Sequence, residues 1–255
     1  MENEKPIALQ ASEVKKVIAV MSGKGGVGKS SVTALLAVSL VKEGFKVGIL
    51  DADITGPSIP RMLGLTERIR GSALGMVPPA SRLGIKVMSM NLLLPQEDEP
   101  VIWRGPLIAG AVKQFWEEVF WGELDYLLVD LPPGTGDVPL TVMQSLPVSG
   151  IVVVSSPQEL VQMVVKKAVQ MAKKMGVPLL GLVENMSYVL CPNCQEAFEV
   201  FGPSRVEEIA ESLGIRCLGR VPIDPDFNRL ADAGRVEHYQ GQATSELVGK
   251  LLEIV

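Results

Sequence analysis

Only three cysteines, Cys191, Cys194 and Cys217, occur in 255 residues. So low and odd a count argues against a disulfide framework, and a cytoplasmic location is the expectation. Histidine is scarcer still. His238 stands alone in a polar C-terminal stretch and is not read as a metal ligand. No apolar run approaches the roughly 20 residues that cross a bilayer. Residues 1–13 are polar and lack the apolar core of a signal peptide. They are expected to form a short mobile tail ahead of one domain spanning residues 14–255. Cationic excess is also missing: the net charge is −5 and the pI near 5.1. An acidic balance argues against a nucleic-acid partner, which needs a basic patch. Internal repeats and low-complexity segments are absent.

Apolar residues make up 47% of the chain, enough for one large core. They fall in short, β-branched runs: 17–21, 47–50, 85–90, 126–129, 151–154 and 179–183. Near-continuous apolar runs signal strands buried on both faces, so the spacing predicts an α/β fold, a mostly parallel sheet with helices on both faces. Helices are expected at 31–42, stopped by Gly44, at about 159–175, and at the C-terminus, where Leu247, Leu251 and Leu252 dock on the core. Lys166, Lys167, Lys173 and Lys174 read as a solvated helix face. Residues 66–79 and 95–100 read as loops.

Between the first strand and the first long helix stand Gly23, Lys24, Gly25, Gly26, Val27, Gly28, Lys29 and Ser30. They fit G-x-x-x-x-G-K-S/T, the P-loop of nucleoside triphosphatases. Its glycines let the backbone curl until N–H groups face phosphate oxygens. Lys29 would meet the β- and γ-phosphates of ATP, and the Ser30 hydroxyl would ligate Mg2+. Ser31 follows in the same helical turn and is counted with the phosphate-binding residues. A phosphate would then lie at a helix N-terminus, where orphan N–H groups favour it.

Three acids complete the pattern. Asp51 and Asp53 follow the second strand and Asp130 ends the fourth apolar run. Ligands in open α/β sheets bind at the carboxyl ends of strands, and an Asp placed like Asp130 is the usual partner of the loop serine around Mg2+. The following Pro132, Pro133, Gly134, Thr135 and Gly136 form a loop whose N–H groups would sense a γ-phosphate.

The second lysine of the loop, Lys24, gives the deviant form found in ParA/MinD-like ATPases, which this stretch resembles. The resemblance implies that Lys24 reaches the nucleotide of a partner subunit in a homodimer. It also implies that Asp53 orients the attacking water, Asp51 supports the Mg2+ shell and Asp130 binds Mg2+ through water. Catalysis is thus expected from Asp53, Lys24 and Lys29.

Cys191 and Cys194 form a C-x-x-C pair, and no second such pair exists. Two intervening residues let both sulfurs converge on one metal. One chain supplies two thiolates where a tetrathiolate site needs four, so two chains about a twofold axis would complete it. Four thiolates suit Zn2+ or an iron–sulfur cluster, and spacing does not choose between them. Cys217, in a short strand, reads as a buried apolar thiol rather than a ligand.

Taken with residues 51–58, 103–106, 121–126, 130–137 and 184–187, these motifs resemble the Mrp/ApbC-type P-loop ATPases, the iron–sulfur cluster carriers. That family implies binding and hydrolysis of ATP and transfer of a [4Fe-4S] cluster, bridged between two subunits, to apoproteins. By the same resemblance Asn185, Pro222 and Asp224 lie near the adenine. The chain departs from the family at 202–205, where glycines are fewer, and at 234–236, where a proline is missing. Residues 1–20 lack the cysteines of the eukaryotic long forms. Two other classes compete. A MinD/ParA-like spatial organiser would want a basic amphipathic end helix, but residues 245–255 carry only Lys250; no membrane partner is expected. A structural zinc at the dimer interface is the other. A nitrogenase-iron-protein-like reductase, which takes single separated cysteines, fits the close pair poorly.

Overall fold

A computed structural model describes residues 6–53, 56, 58–93, 105–157 and 161–255. In chain order the elements are α1 (Ile7–Gln10), β1 (Glu13–Ser22), α2 (Lys29–Lys42), β2 (Val47–Asp51), α3 (Ile59–Met62), β3 (Arg70–Ser72), β4 (Gly75–Val77), β5 (Lys86–Ser89), α4 (Gly105–Glu118), β6 (Glu123–Asp130), α5 (Asp137–Gln144) and β7 (Gly150–Ser155). They continue with α6 (Val161–Met175), β8 (Leu179–Glu184), β9 (Val189–Leu190), β10 (Ala197–Phe198), α7 (Val206–Leu213), β11 (Cys217–Arg220), α8 (Pro225–Asp232) and α9 (Gln242–Leu252).

Seven strands pair in the order β11-β8-β7-β1-β6-β2-β5, every neighbouring pair parallel. Side chains of β1 alternate between two cores. Ile18 and Val20 join a cluster with α2 and α9. Val17, Ala19 and Met21 join a cluster with α4, α5 and α6. Helices on both faces remove any solvent-facing side, which is why these strands read as unbroken apolar runs. Trp121 is fully buried and packs in the second of these clusters.

β1 is the middle strand. The chain first builds β2, β5 and β6 to one side of it, then β7, β8 and β11 to the other. Winding reverses at β1, so a crevice opens at its carboxyl end, where the phosphate loop begins.

Three segments differ from the sequence reading. The expected tail is folded from Pro6 onward. Ala8 of α1 is buried, and the Ser12 hydroxyl donates to the Ala8 carbonyl at 2.6 Å and accepts from the Trp121 amide at 3.0 Å. β1 starts at Glu13, whose amide donates to the Gly122 carbonyl at 2.8 Å. A short apolar segment in a polar stretch carries too little periodicity to reveal such docking. Part of 66–79 forms an antiparallel hairpin, β3 with β4. A second hairpin, β9 with β10, is inserted between β8 and α7 and carries the cysteine pair at its tip. The loop at 95–100, the start of the helix at 159–160, and Trp103 and Arg104 lie outside the described residues.

Candidate functional site: a phosphate loop and a cysteine hairpin

The loop leaves β1 at Ser22, and Gly26 and Gly28 have positive φ, +79° and +74°. Gly28 caps α2 with no side-chain cap bond, leaving the first amides of that helix open to an anion. The position is also crowded. A Cβ on Gly28 would lie 2.1 Å from Asn185 Nδ2. That amide donates to the Val27 carbonyl at 2.9 Å, so the loop is buttressed from the end of β8.

Lys29 is 5% exposed and its ammonium lies 2.8 Å from Asp130 and 3.7 Å from Asp53. Asp130 is fully buried. It accepts from Ser30 Oγ at 2.5 Å and from Thr33 Oγ1 at 2.7 Å. Asp51 and Asp130 are Cα partners across the β2–β6 ladder, which sets two fully buried carboxyls side by side. Burial, then the Asp130 charge, pushes the Asp51 carboxyl well above the usual carboxylate range, while Lys29 opposes the shift. Ser89 Oγ donates to Asp51 at 3.2 Å and the Asp53 amide to its other oxygen at 3.3 Å. The donor set is all oxygen, from one hydroxyl and flanking carboxyls, and fits a hard divalent cation such as Mg2+.

Sequence reasoning therefore gathered Lys29, Ser30, Asp51, Asp53 and Asp130 around one point. It missed Thr33 and Ser89. Thr33 lies four residues after Lys29, on the same helix face, a signal that was available. Ser89 depends on β5 pairing with β2, which no local pattern encodes. Ser31 sits in the first turn of α2. Gly134 has φ +104° and its amide donates to the Ser22 carbonyl at 2.8 Å, tying the loop after β6 to the root of the phosphate loop. Lys24 is half-buried, with its carbonyl accepting from Ser22 Oγ. Pro222 and Asp224 follow β11. The Asp224 carboxylate caps α8 through the Asp226 amide at 2.8 Å and accepts from Tyr239 Oη at 2.8 Å. That structural work was not foreseen. Ser155 Oγ at the carboxyl end of β7 is buried without a hydrogen-bond partner among the described residues.

The cysteine pair occupies the turn between β9 and β10. Cys191 donates its amide to the Glu196 carbonyl at 3.0 Å, and its carbonyl accepts from the Gln195 amide at 2.9 Å. Amides of Cys194 and Asn193, in that order, point at the Cys191 sulfur and hold its thiol below the usual range. Cys194 is exposed. Cys217 sits instead in β11 of the main sheet, where burial pushes its thiol up. His238 is exposed in a short turn. Among the described residues no group of three or more His, Cys, Asp or Glu is poised around a metal. Leu190, Phe198, Val200 and Phe201 on or just after the hairpin are exposed, Phe198 at 67%.

Two left-handed non-glycine residues occur among the described residues, Met186 (φ +58°) and Gln195 (φ +59°). Each costs about 1 kcal/mol. One lies beside the phosphate loop and the other in the cysteine turn.

The family model described as NUBPL iron-transfer P-loop NTPase, of the ParA group, matches residues 13–255. A relative from Clostridium perfringens named iron-sulfur cluster carrier protein is 50% identical over 234 residues, 89% of this chain and 82% of its own. One of the same name from Methanocaldococcus jannaschii is 49% identical over 226 residues, 88% and 78% of the two chains. Among solved structures, a nucleotide-binding protein from Archaeoglobus fulgidus in complex with ADP aligns with a TM-score of 0.84 at 51% identity, covering 92% of this chain and 93% of that one. The MinC:MinD cell division protein complex from Aquifex aeolicus aligns with a TM-score of 0.66 at 23% identity over 93% and 96%, a likeness of fold. With a family model spanning almost the whole chain and relatives at half identity, this chain belongs to the NUBPL iron-transfer P-loop NTPases of the ParA group, the family that includes the Mrp/ApbC-type carriers.

Proposed function

We propose that this protein is an ATP-dependent iron–sulfur cluster carrier. It binds and hydrolyses ATP at the phosphate loop and carries a [4Fe-4S] cluster between the Cys191/Cys194 pairs of two subunits for delivery to apoproteins. The observation that carries the reading is the coexistence in one chain of two unlike sites. One is a buried oxygen and ammonium cluster behind a phosphate loop. The other is an exposed two-thiol turn whose amides stabilise a thiolate. The printed names of the relatives support it.

At the first site the amides of residues 23–30 and the Lys29 ammonium bind the phosphates, and Lys24 of a partner subunit adds a second cation. Asn185, Pro222 and Asp224 flank the base. Ser30, Asp130 and, behind them, Asp51 would hold Mg2+, which when bound neutralises charge on the β- and γ-oxygens. Asp53 orients a water molecule. The water oxygen bonds to the γ-phosphorus as the bond to the bridging oxygen breaks, giving ADP and inorganic phosphate, and the proton that the water loses passes to the phosphate or to solvent. Asp53→Asn is expected to bind ATP like the wild type and to lose about 100-fold or more in turnover; wild-type turnover would remove Asp53 from that role.

At the second site the cluster is cargo. Cys191 and Cys194 supply two thiolates, the twofold partner supplies two more, and the exposed Leu190, Phe198, Val200 and Phe201 would shield the cluster from water. Anaerobic loading with iron and sulfide tests this on wild type and the Cys191→Ala/Cys194→Ala variant. A brown dimer with one cluster per two chains, absent from the variant, is the expected result. A colourless wild type retaining tightly bound zinc would replace the carrier reading with a structural metal.

A further inference from the structure

Glu184, at the end of β8, is a buried acid that neither site uses. It is 2% exposed, and one of its oxygens accepts from both Ser187 Oγ at 2.5 Å and Ser204 Oγ at 2.6 Å. Arg220, at the end of the adjacent β11, lies 3.7 Å from the same oxygen. Its Nε donates to Ser187 Oγ at 2.7 Å, another of its nitrogens pairs with Glu199, and its guanidinium lies 5.4 Å from the Tyr188 ring centroid. Ser187 and Tyr188 lead into the cysteine hairpin, while Glu199 and Ser204 lead out of it. A buried acid and a half-buried arginine beside it therefore grip both ends of the loop that carries Cys191 and Cys194.

The same short segment touches the phosphate loop. Asn185 follows Glu184 directly, donates to the Val27 carbonyl and packs on Gly28; Met186 Cε lies 3.4 Å from where a Gly28 Cβ would stand. Main-chain bonds brace the segment from both sides. The Asn185 amide donates to Ser155, the Ser187 amide to Val221 and the Ile223 amide to Tyr188. Between Gly28 and the first residue of the hairpin there is no slack segment that would absorb a movement of the phosphate loop.

We propose that Arg220 and Glu184 are positioning residues that lock both ends of the cysteine loop to the phosphate loop through Asn185 and Met186, so that nucleotide occupancy sets the order of the Cys191/Cys194 turn. Phosphate binding fixes Val27 and Gly28, these fix Asn185 and Met186, and the ion pair transmits that restraint to entry and exit of the hairpin together. That this order matters for cargo rests on the carrier reading. Linkage then requires that a loaded cysteine pair change nucleotide affinity by the same factor.

Hydrogen exchange of amides 189–198 on the full-length, metal-free protein, with and without saturating ADP, tests the lock directly. ADP is expected to slow wild-type exchange at least about fivefold, the lower end of ordinary coupling. Arg220→Gln is expected to bring that ratio within about twofold of unity with ADP affinity changed less than about threefold, and Arg220→Lys, which keeps the charge but lacks the fork that spans Ser187 and Glu199, to fall between. A merely structural role would speed exchange equally in both states and leave the ratio intact. Glu199→Gln removes only the exit contact and serves where Arg220→Gln fails to fold; it is expected to halve the effect. A wild-type ratio near one, or a ratio unmoved by the variants that fold, overturns the proposal. A parallel arm measures ADP affinity before and after iron–sulfide loading, with Cys191→Ala/Cys194→Ala as reference. Loading without any change in ADP affinity overturns the linkage. A wild type that takes up no cluster sinks the carrier reading, and the amide ratio still decides the lock.

Discussion

The phosphate loop and the cysteine hairpin are built by opposite means. At the loop, Lys29 and Asp130 are buried together and tied to Ser30, Thr33 and the ends of β1, β2 and β6. At the hairpin, two strands of two residues each carry an exposed turn, and so short a ladder has little stability of its own. One site is set by the packing of the whole sheet. The other is set by local turn geometry and by its two anchored ends. Phosphate chemistry needs fixed charge in a dry crevice, whereas a thiolate pair with the proposed carrier role must stay accessible. The contrast predicts that substitutions at the first site change stability as well as function, and at the second function alone.

Asp130→Ala should have the largest effect. It leaves a buried ammonium and two hydroxyls without their shared acceptor, and removing one member of a buried ion pair costs about 3–5 kcal/mol. Asp53, at 3.7 Å from Lys29, would recover part of that. Urea unfolding of the nucleotide-free protein measures it; a loss below about 1 kcal/mol would mean that the site is not the rigid member of the comparison. Gly28→Ala comes next. It combines a left-handed φ with a Cβ driven into the Asn185 amide, so the Asn185–Val27 bond goes as well, for about 2 kcal/mol together. ATP binding should fall with it, by titration calorimetry. Normal binding would show that the loop can relax away from Asn185.

Asp51→Asn should move stability the other way. Burial and the Asp130 charge raise the Asp51 carboxyl in the folded chain. Over the interval between the unfolded and folded values the native state holds the extra proton. Stability is therefore greatest below the unfolded value and declines as pH rises through the folded one. The neutral isostere removes that decline. Nucleotide-free protein in EDTA should gain about 0.5–2 kcal/mol at pH 7, the usual scale for relieving a functional site, and its stability should vary less with pH than that of the wild type. An unchanged pH profile would contradict the assignment of the shift to Asp51.

Much of the first site is legible in the sequence because its parts are local. Eight contiguous residues make the loop, and apolar runs ending in Asp mark where the strands stop. Those same runs gave the parallel sheet with helices on both faces. What could not be read is what depends on strand order. Asp51 meets Asp130 because β2 pairs with β6, and Ser89 joins them because β5 pairs with β2. Glu184 reaches Arg220, 36 positions later, because β8 pairs with β11. The cysteine pair itself is legible from spacing, but the amides aimed at Cys191 follow from the turn, with Gln195 left-handed just after it. The folded segment at Pro6–Ser12 escaped for a different reason: its anchors are one small buried side chain, Ala8, and one hydroxyl, Ser12, reaching backbone at Trp121 and Gly122, and neither residue type carries such a signal.

The smallest effect sharpens the comparison most. Cys191→Ser/Cys194→Ser replaces two groups of which one is exposed and the other held by backbone amides that a serine oxygen also accepts. Surface substitutions of this kind stay within about 0.5 kcal/mol, so the metal-free double variant should unfold with the wild type in urea, bind ATP normally and lose metal completely. A clear loss of stability without metal would mean that the hairpin is packed into the domain and not held by its ends, and the division of labour between the two regions would fail. Equal stability with metal binding abolished would place the hairpin's whole contribution in its cargo, leaving the anchors at Ser187, Glu199 and Ser204 as its principal side-chain ties to the sheet.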